Sequence, residues 1–299
     1  MDYQNVCSFL KASSSSSCRV FSIGKSVLGK DILAANVYAN SSAPWAIVTG
    51  GMHAREHLST DLVCMQIAEL ATANNCGVNI CFVPQVNPDG ADLCLHGTQD
   101  LPNDVSKSLI EINNGSDFSL WKANINGVDL NNNFDANWRT KFGGKTSSAS
   151  GGYYGSHPFS EPESAALASL TKTLCPFITI SYHLKGEEIY FDFFQSCAAY
   201  CRDKRIAEIF ASSTGYKIVS TQGVSSGGYK DWCVQKLGIP ALTIELGADR
   251  FSHPFPHHQL SQIYSKNKDL SSCLAKAYKI VQSVPAATCL WSASKNYIV

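Results

Sequence analysis

Four side chains of this sequence can hold a metal ion or move a proton, and each lies at or just beyond the end of an apolar segment: His53, Glu56, His183 and Glu245. Imidazole nitrogen and carboxylate oxygen both suit zinc, and a site with three protein ligands keeps one position open for water. Such a site activates water and polarises a carbonyl group. Three of the four could be ligands while the fourth stays free.

The spacing of His53 and Glu56 is a weak signal by itself, because a loop salt bridge would explain it as well. Glu245 is more informative, since it lies between Ile244 and Leu246 in an apolar run. An unpaired carboxylate that merely filled a core would cost several kcal/mol. We therefore interpret Glu245 as a catalytic group.

The elements that must position these residues are predicted buried strands. The apolar segments are Ala46 to Thr49, Phe177 to Tyr182 and Leu242 to Leu246. If these strands are parallel, their carboxyl ends meet at one edge of the sheet, which is where ligands bind in open α/β proteins. The sequence thus predicts a metal site at that edge.

Strand-like and helix-like segments alternate along all 299 residues, which favours one α/β domain over 1–299. The other predicted strands are Phe21 to Val37 (two strands around turns at Gly24 and Gly29), Asn79 to Val83 and Ile189 to Phe193. The predicted helices are Leu58 to Ala73, a helix capped by Ser160 with Glu163 in a capping box, Arg202 to Thr214, and Leu260 to Ser283. A turn is predicted over Pro84 to Gly90, and an irregular surface segment over Leu95 to Asn126.

Composition excludes several classes of function. The formal net charge is zero and no run of like charges occurs, which argues against a nucleic-acid or anionic-membrane surface. The first residues, Met1 to Val6, lack the basic and apolar regions of a signal peptide, and no segment is long enough for a membrane span. We expect a monomeric cytoplasmic protein.

The 12 cysteines include no C-x-x-C pair, so a cysteine zinc site is not indicated. Four of them lie in apolar patterns and are predicted to be small buried residues: Cys64, Cys81, Cys175 and Cys233. Cys197 and Cys201 could form a disulfide or simply share a helix face. Among the histidines, His57 is expected to start a helix or to support the metal ligands, and His253, His257 and His258 form a patch in a loop.

The chain resembles the zinc metallocarboxypeptidases over nearly its whole length. The motifs that carry the resemblance are His-Ala-Arg-Glu at 53–56, Asn-Pro-Asp-Gly at 87–90, Gly-Val-Asp-Leu-Asn at 127–131, strand-His at 183, Gly-Gly-x-x-Asp-Trp at 227–232 and Ile-Glu-Leu at 244–246. The resemblance implies an α/β/α sandwich with a mixed, largely parallel twisted sheet. It also implies that one Zn²⁺ is bound by His53, Glu56 and His183, with Glu245 as the general base.

The same resemblance implies that Arg55 contacts substrate and that Lys122 replaces the arginine that stabilises the oxyanion. Lysine keeps the charge but lacks the forked donors of arginine. Two departures concern the substrate's terminal carboxylate, which family members that remove C-terminal residues hold with an arginine and a tyrosine. Asn132 and Gly223 stand at those two positions.

The local sequences are more similar to a bacterial branch, the γ-D-glutamyl-diamino acid peptidases. This implies cleavage between D-glutamate and meso-diaminopimelate in peptidoglycan peptides. Its substrate would be held by Asn131, Asn132, Lys185 and Arg250, with Asp231 or Glu187 on the free amine. Two alternatives stay open: a carboxypeptidase acting on other C-terminal residues, and a non-catalytic binding module that keeps the fold.

Overall fold

Strands and helices alternate through the described part of the chain, which in this computed structural model comprises residues 1–72, 77–140, 143–220 and 225–283. The strands are Cys18–Lys25 (β1), Asp31–Val37 (β2), Trp45–Thr49 (β3), Asn79–Val83 (β4), Ile178–Leu184 (β5), Glu188–Tyr190 (β6), Lys217–Val219 (β7) and Ala241–Leu246 (β8). The α-helices are Tyr3–Ser13 (α1), His57–Leu70 (α2), Pro88–His96 (α3), Asn103–Asn113 (α4), Pro162–Leu174 (α5), Cys197–Thr214 (α6), Tyr229–Trp232 (α7), Leu260–Asn267 (α8) and Leu270–Ser283 (α9). Short helical turns of other types cover Leu130–Asn132, Cys233–Leu237 and His257–Gln259.

The described strands form one mixed sheet in the order β1-β2-β4-β3-β5-β8-β6-β7. The central strands β4, β3, β5 and β8 are parallel, whereas β1 and β2 are antiparallel at one side and β6 is antiparallel to β8 at the other. The chain goes from β3 through α2 to β4 on one side of β3, while β5 lies on the other side. The carboxyl ends of β3 and β5 therefore flank a topological switch point, where α/β sheets bind ligands.

Helices cover both faces of the sheet. Successive residues of a strand point to opposite faces, so they pack against different helices. Ala46 and Val48 of β3 pack with α1, α2, α6, α8 and α9, whereas Ile47 packs on the other face with α5 and α7. In β5, Ile180 and Tyr182 join the first of these cores. The predicted three-layer α/β/α arrangement with a largely parallel sheet is confirmed.

The strand predictions are confirmed with shifted ends. β5 continues to Leu184, so His183 lies inside the strand and not beyond it. Gly24 lies within β1 at an irregularity in its pairing with β2, and the turn is formed at Gly29. The strand predicted for Ile189 to Phe193 is shorter and ends at Tyr190.

Several helical segments differ from the predictions. The predicted turn over Pro84 to Gly90 contains the start of α3, where proline takes the first helical position and Asn87 caps the helix by accepting from the Gly90 amide at 3.0 Å. The predicted irregular segment from Leu95 to Asn126 contains α4. The helix α1 was not predicted from the sequence. The predicted end of α2 at Ala73 lies outside the described residues.

Two further corrections concern helix ends. Ser160 is not the N-cap of α5, because the helix begins at Pro162 and the Ser160 hydroxyl donates instead to the Glu161 carboxylate at 2.8 Å. The single closing helix predicted over Leu260 to Ser283 is two helices, since α8 ends at Asn267. No helix within the described residues is long and apolar enough to cross a bilayer.

The described cysteines fit most of the predictions. Cys64, Cys81 and Cys233 are buried, as expected for small apolar side chains. Cys175 is exposed, contrary to the prediction, because it follows the last residue of α5 in the left-handed conformation that ends the helix. Cys197 and Cys201 are free thiols on α6, so the helix-face interpretation is correct and the disulfide is not formed.

Candidate metal centre

The loop that carries His53 and Glu56 runs from the end of β3 to the start of α2, and it is folded tightly against both elements. Gly51 has a φ of +58°, and an added Cβ there would lie 2.5 Å from Thr60 Oγ1. The Ser59 hydroxyl joins the two ends of the loop, since it accepts from the Gly51 amide at 2.9 Å and donates to the Glu56 carbonyl at 2.7 Å. This packing fixes the directions of the two side chains.

The three predicted zinc ligands meet. His53 Nδ1 lies 2.8 Å from Glu56 Oε1, and His183 Nδ1 lies 3.1 Å from His53 Nδ1 and 3.2 Å from Glu56 Oε2. Ligand atoms at the usual zinc distances on a tetrahedron stand about 3.3 Å apart. Because all three side chains are buried and their donor atoms converge at nearly this spacing, the donor set fits zinc.

Glu56 is held as a carboxylate by the groups around it. Its Oε2 also accepts from the Leu184 amide at 3.2 Å, in addition to the contacts with both imidazoles. Burial by itself would raise the pKa of Glu56, but His53 and the hydrogen bond from His183 outweigh burial and hold that pKa well below its usual range. An ionised Glu56 is the form that a cation requires.

Asp129 is a functional residue that the sequence reasoning did not select, although it lies in the Gly-Val-Asp-Leu-Asn motif. Its Oδ1 is 3.2 Å from His53 Nε2, and its Oδ2 accepts from Lys122 Nζ at 2.8 Å and from the Gly152 amide at 3.1 Å. A carboxylate on the far nitrogen of a metal-binding histidine fixes the ring's tautomer and orientation. In the tautomer that donates Nε2–H to Asp129, His53 Nδ1 presents its lone pair toward Glu56 and His183.

Glu245 lies beside the triad because of sheet register. Parallel pairing of β5 and β8 sets Glu245 opposite His183, so both side chains leave the sheet on the same face. Glu245 Oε2 is buried and accepts no hydrogen bond from the described residues. Burial raises the pKa of Glu245 to about 7, with His183 opposing the shift and Glu56 adding to it. A carboxyl group that titrates near neutral pH is suited to accept and return a proton.

The two cations predicted to face substrate both have partners. Lys122 pairs with Asp129, and the guanidinium of Arg55 donates to the Leu120 carbonyl at 3.2 Å. Burial by itself would lower the pKa of Lys122, but the adjacent carboxylates of Asp129 and Glu56 outweigh it and raise that pKa. Lys122 is therefore a charged ammonium group within the site.

The structure does not bring the other predicted substrate residues onto the triad by any direct contact among the described residues. Asn131 Oδ1 accepts from the Tyr229 amide at 3.0 Å, Asn132 is buried, and the Lys185 ammonium pairs with Asp249 at 2.9 Å. Arg250 is exposed and lies over the ring of Phe251. Their substrate contacts stay predictions.

The residues considered for the substrate amine are also engaged. Asp231 is buried and pairs with Lys230 at 2.6 Å, and Glu187 pairs with Lys266 at 2.6 Å. Gly223, which stands at the position of the family's tyrosine, lies outside the described residues.

The histidines set aside in the sequence have separate roles. His57 begins α2 as predicted, and burial lowers its pKa to about 4. His253 is close enough to the site for Arg55 and Glu56 to act on its imidazole, and burial lowers its pKa as well. Its Nδ1 is buried without a partner among the described residues. Sequence position alone gave no sign that the imidazole of His253 lies near enough to Glu56 to feel its charge.

Comparisons with known proteins agree with this geometry. A family model described as zinc carboxypeptidase matches residues 3–270. The chain is 29% identical over 259 residues to gamma-D-glutamyl-L-diamino acid endopeptidase 1 of Lysinibacillus sphaericus, a match that covers 82% of this chain and 64% of that protein's length.

Solved structures show the same fold. Bovine thrombin-activatable fibrinolysis inhibitor superimposes with a TM-score of 0.75 at 20% identity, covering 95% of this chain and 98% of that chain. Murein-tripeptide amidase from Escherichia coli O157 superimposes with a TM-score of 0.54 at 22% identity, covering 86% and 91%.

Proposed function

Since the chain belongs to the zinc carboxypeptidase family, we propose that it hydrolyses the amide bond between the γ-carboxyl group of D-glutamate and meso-diaminopimelate in peptidoglycan stem peptides or muropeptides. Metallopeptidase chemistry follows from the family and from the convergence of His53, Glu56 and His183. The observation that carries the choice of bond is the similarity over 82% of this chain to an endopeptidase named for γ-D-glutamyl-diamino acid bonds.

The site supplies the groups that amide hydrolysis needs. His53, Glu56 and His183 would hold the ion, and zinc, when bound, supplies Lewis-acid polarisation of the carbonyl and increases the acidity of water. Glu245 takes a proton from the attacking water and returns it to the departing amine nitrogen. The orphaned Oε2 of Glu245 is the atom free to do so.

The substrate preference is supported by what the chain lacks. Asn132 is buried and uncharged, so it cannot pair with a terminal α-carboxylate as an arginine would. The α-carboxylate of an ordinary C-terminal residue thereby lacks one of its strongest binding contacts. A substrate with its carboxylates elsewhere is affected less by this loss.

The test is a mass-spectrometric digest of defined peptides by the zinc-loaded protein, with chelated protein as the control. One peptide carries a γ-D-glutamyl–meso-diaminopimelate bond, and the matched set carries ordinary C-terminal L-residues. We expect zinc-dependent cleavage of the γ-linked bond and little release of terminal L-residues. Faster cleavage of the ordinary peptides would replace this proposal with a carboxypeptidase of other specificity.

A further inference from the structure

We propose that Lys122 is a positioning residue for the zinc ligand His53, acting through Asp129, and that it is not the clamp for the developing oxyanion. The resemblance of the sequence suggested the clamp. The inference concerns the metal centre alone, so it does not depend on which peptide the enzyme cleaves.

One carboxylate joins the lysine to the ligand. Lys122 Nζ donates to Asp129 Oδ2 at 2.8 Å, and Asp129 Oδ1 lies 3.2 Å from His53 Nε2. Asp129 is 1% exposed, so both its oxygens are used inside the protein. Lys122 is thus two contacts from the His53 ring, which it reaches at Nε2, the nitrogen opposite the metal-binding Nδ1.

The backbone around Lys122 holds its side chain in this direction. The Lys122 amide donates to the Ser150 carbonyl at 2.8 Å, and its carbonyl accepts from the Ala54 amide at 3.1 Å. Gly151 lies directly against the stem, since an added Cβ there would be 3.2 Å from Lys122 Cβ. The lysine stem is therefore confined between the ligand loop and the 150–152 segment. The amide of Gly152, the last residue of that segment, also donates to Asp129.

The ion pair between Lys122 and Asp129 compensates the buried negative charge of the carboxylate. A buried carboxylate is expensive unless an opposite charge compensates it. The Asn131 and Gly152 amides that donate to Asp129 are uncharged, and a neutral metal-binding imidazole adds only a hydrogen bond. Lys122 supplies the counter-charge, and Asp129 consequently stays an acceptor that orients His53. A lysine that left Asp129 to meet an oxyanion would leave that buried carboxylate with hydrogen bonds from the Asn131 and Gly152 amides but without its ammonium partner.

The test measures zinc affinity without any peptide, by competition between the metal-free protein and a chromogenic chelator. We expect Lys122→Met and Asp129→Asn each to weaken zinc binding by about 10- to 100-fold, the range found for groups that support a ligand. The double variant should bind zinc about as well as Asp129→Asn alone, because the lysine acts only through that carboxylate. Lys122→Arg, which keeps the charge, should restore most of the affinity. Lys107→Met is the control, since it removes an exposed lysine of α4.

Two results would overturn the inference. One is wild-type zinc affinity in Lys122→Met, which would show that the lysine does not support the metal-binding histidine. The other is a double variant whose loss equals the product of the single losses. If Lys122→Met does not fold, Lys122→Gln keeps a donor for Asp129 without the charge and is judged by the same affinities. Because no substrate is used, a wrong assignment of the cleaved bond cannot be mistaken for either result.

Discussion

Replacing Glu245 by glutamine tests the catalytic assignment most directly. Glutamine has the shape of glutamate but cannot accept a proton from water and return it to the amine. The three ligand contacts among His53, Glu56 and His183 do not involve Glu245, so zinc binding should be retained. Positioned general acid–base groups contribute about 10²- to 10⁴-fold to rate. At about 1.36 kcal/mol for each factor of ten, the barrier should rise by about 3 to 5 kcal/mol.

The assay compares kcat of wild type and Glu245→Gln on one cleaved peptide, with the zinc content of both proteins measured on the same samples. Glu188→Gln is the matched control, because antiparallel pairing sets Glu188 opposite Glu245 on the neighbouring strand. The control should lose little activity. Turnover within about threefold of wild type in zinc-loaded Glu245→Gln would refute the reasoning, since the proton transfer it assigns supplies at least about a hundredfold. An equal loss in Glu188→Gln would show that the effect is not specific to the proposed base.

Three further changes test the parts of the structure that support the site. Burial raises the pKa of Glu163 to about 7, so its ionisation costs stability as pH rises from about 4.3 to about 7, and Glu163→Gln should flatten the fall in Tm over that window; an unchanged pH profile would contradict the burial effect. Gly51→Ala should lower the free energy of unfolding in urea by about 2 kcal/mol or more and weaken zinc binding. Gly29→Ala, with a φ of +83° but open space around it, should show only the smaller conformational cost. Equal losses in the two variants would contradict the role given to close packing of the loop. Zinc at about 1,000 times its Kd should stabilise the protein by about 4 kcal/mol and raise Tm, and His183→Ala should abolish that shift; a persistent shift would place the ion elsewhere.

The strands could be predicted from the sequence because they are continuous apolar runs, as expected when both faces of a sheet are covered. β3, β4, β5 and β8 were located in this way, and with them the positions of His53, His183 and Glu245 at one edge. Even the misplaced end of β5 did not move the site. The convergence depends on parallel pairing of strand ends and tolerates an error of one or two residues.

Features that depend on tertiary contacts could not be predicted. The closing helix has a continuous amphipathic pattern, yet it breaks after Asn267. The backbone carbonyl of Asn267 accepts from the Gln66 side chain at 3.1 Å, and its side-chain amide donates to the Tyr216 hydroxyl at 3.2 Å. Gln66 and Tyr216 are far from Asn267 in the chain. Asp129 was missed for the same reason, because an acid in a loop gives no sign of the imidazole and ammonium groups that it will join.

The pairing of His183 with Glu245 also fixes the spacing of a metal ligand and the proposed general base. Backbone hydrogen bonds between neighbouring strands keep their axes about 4.8 Å apart, whatever the surrounding segments do. The interval between the metal ligand His183 and the proton acceptor Glu245 is consequently set by the pairing of β5 with β8. The segment that bears His253 belongs to neither strand, so a change in its length would leave that interval unaltered.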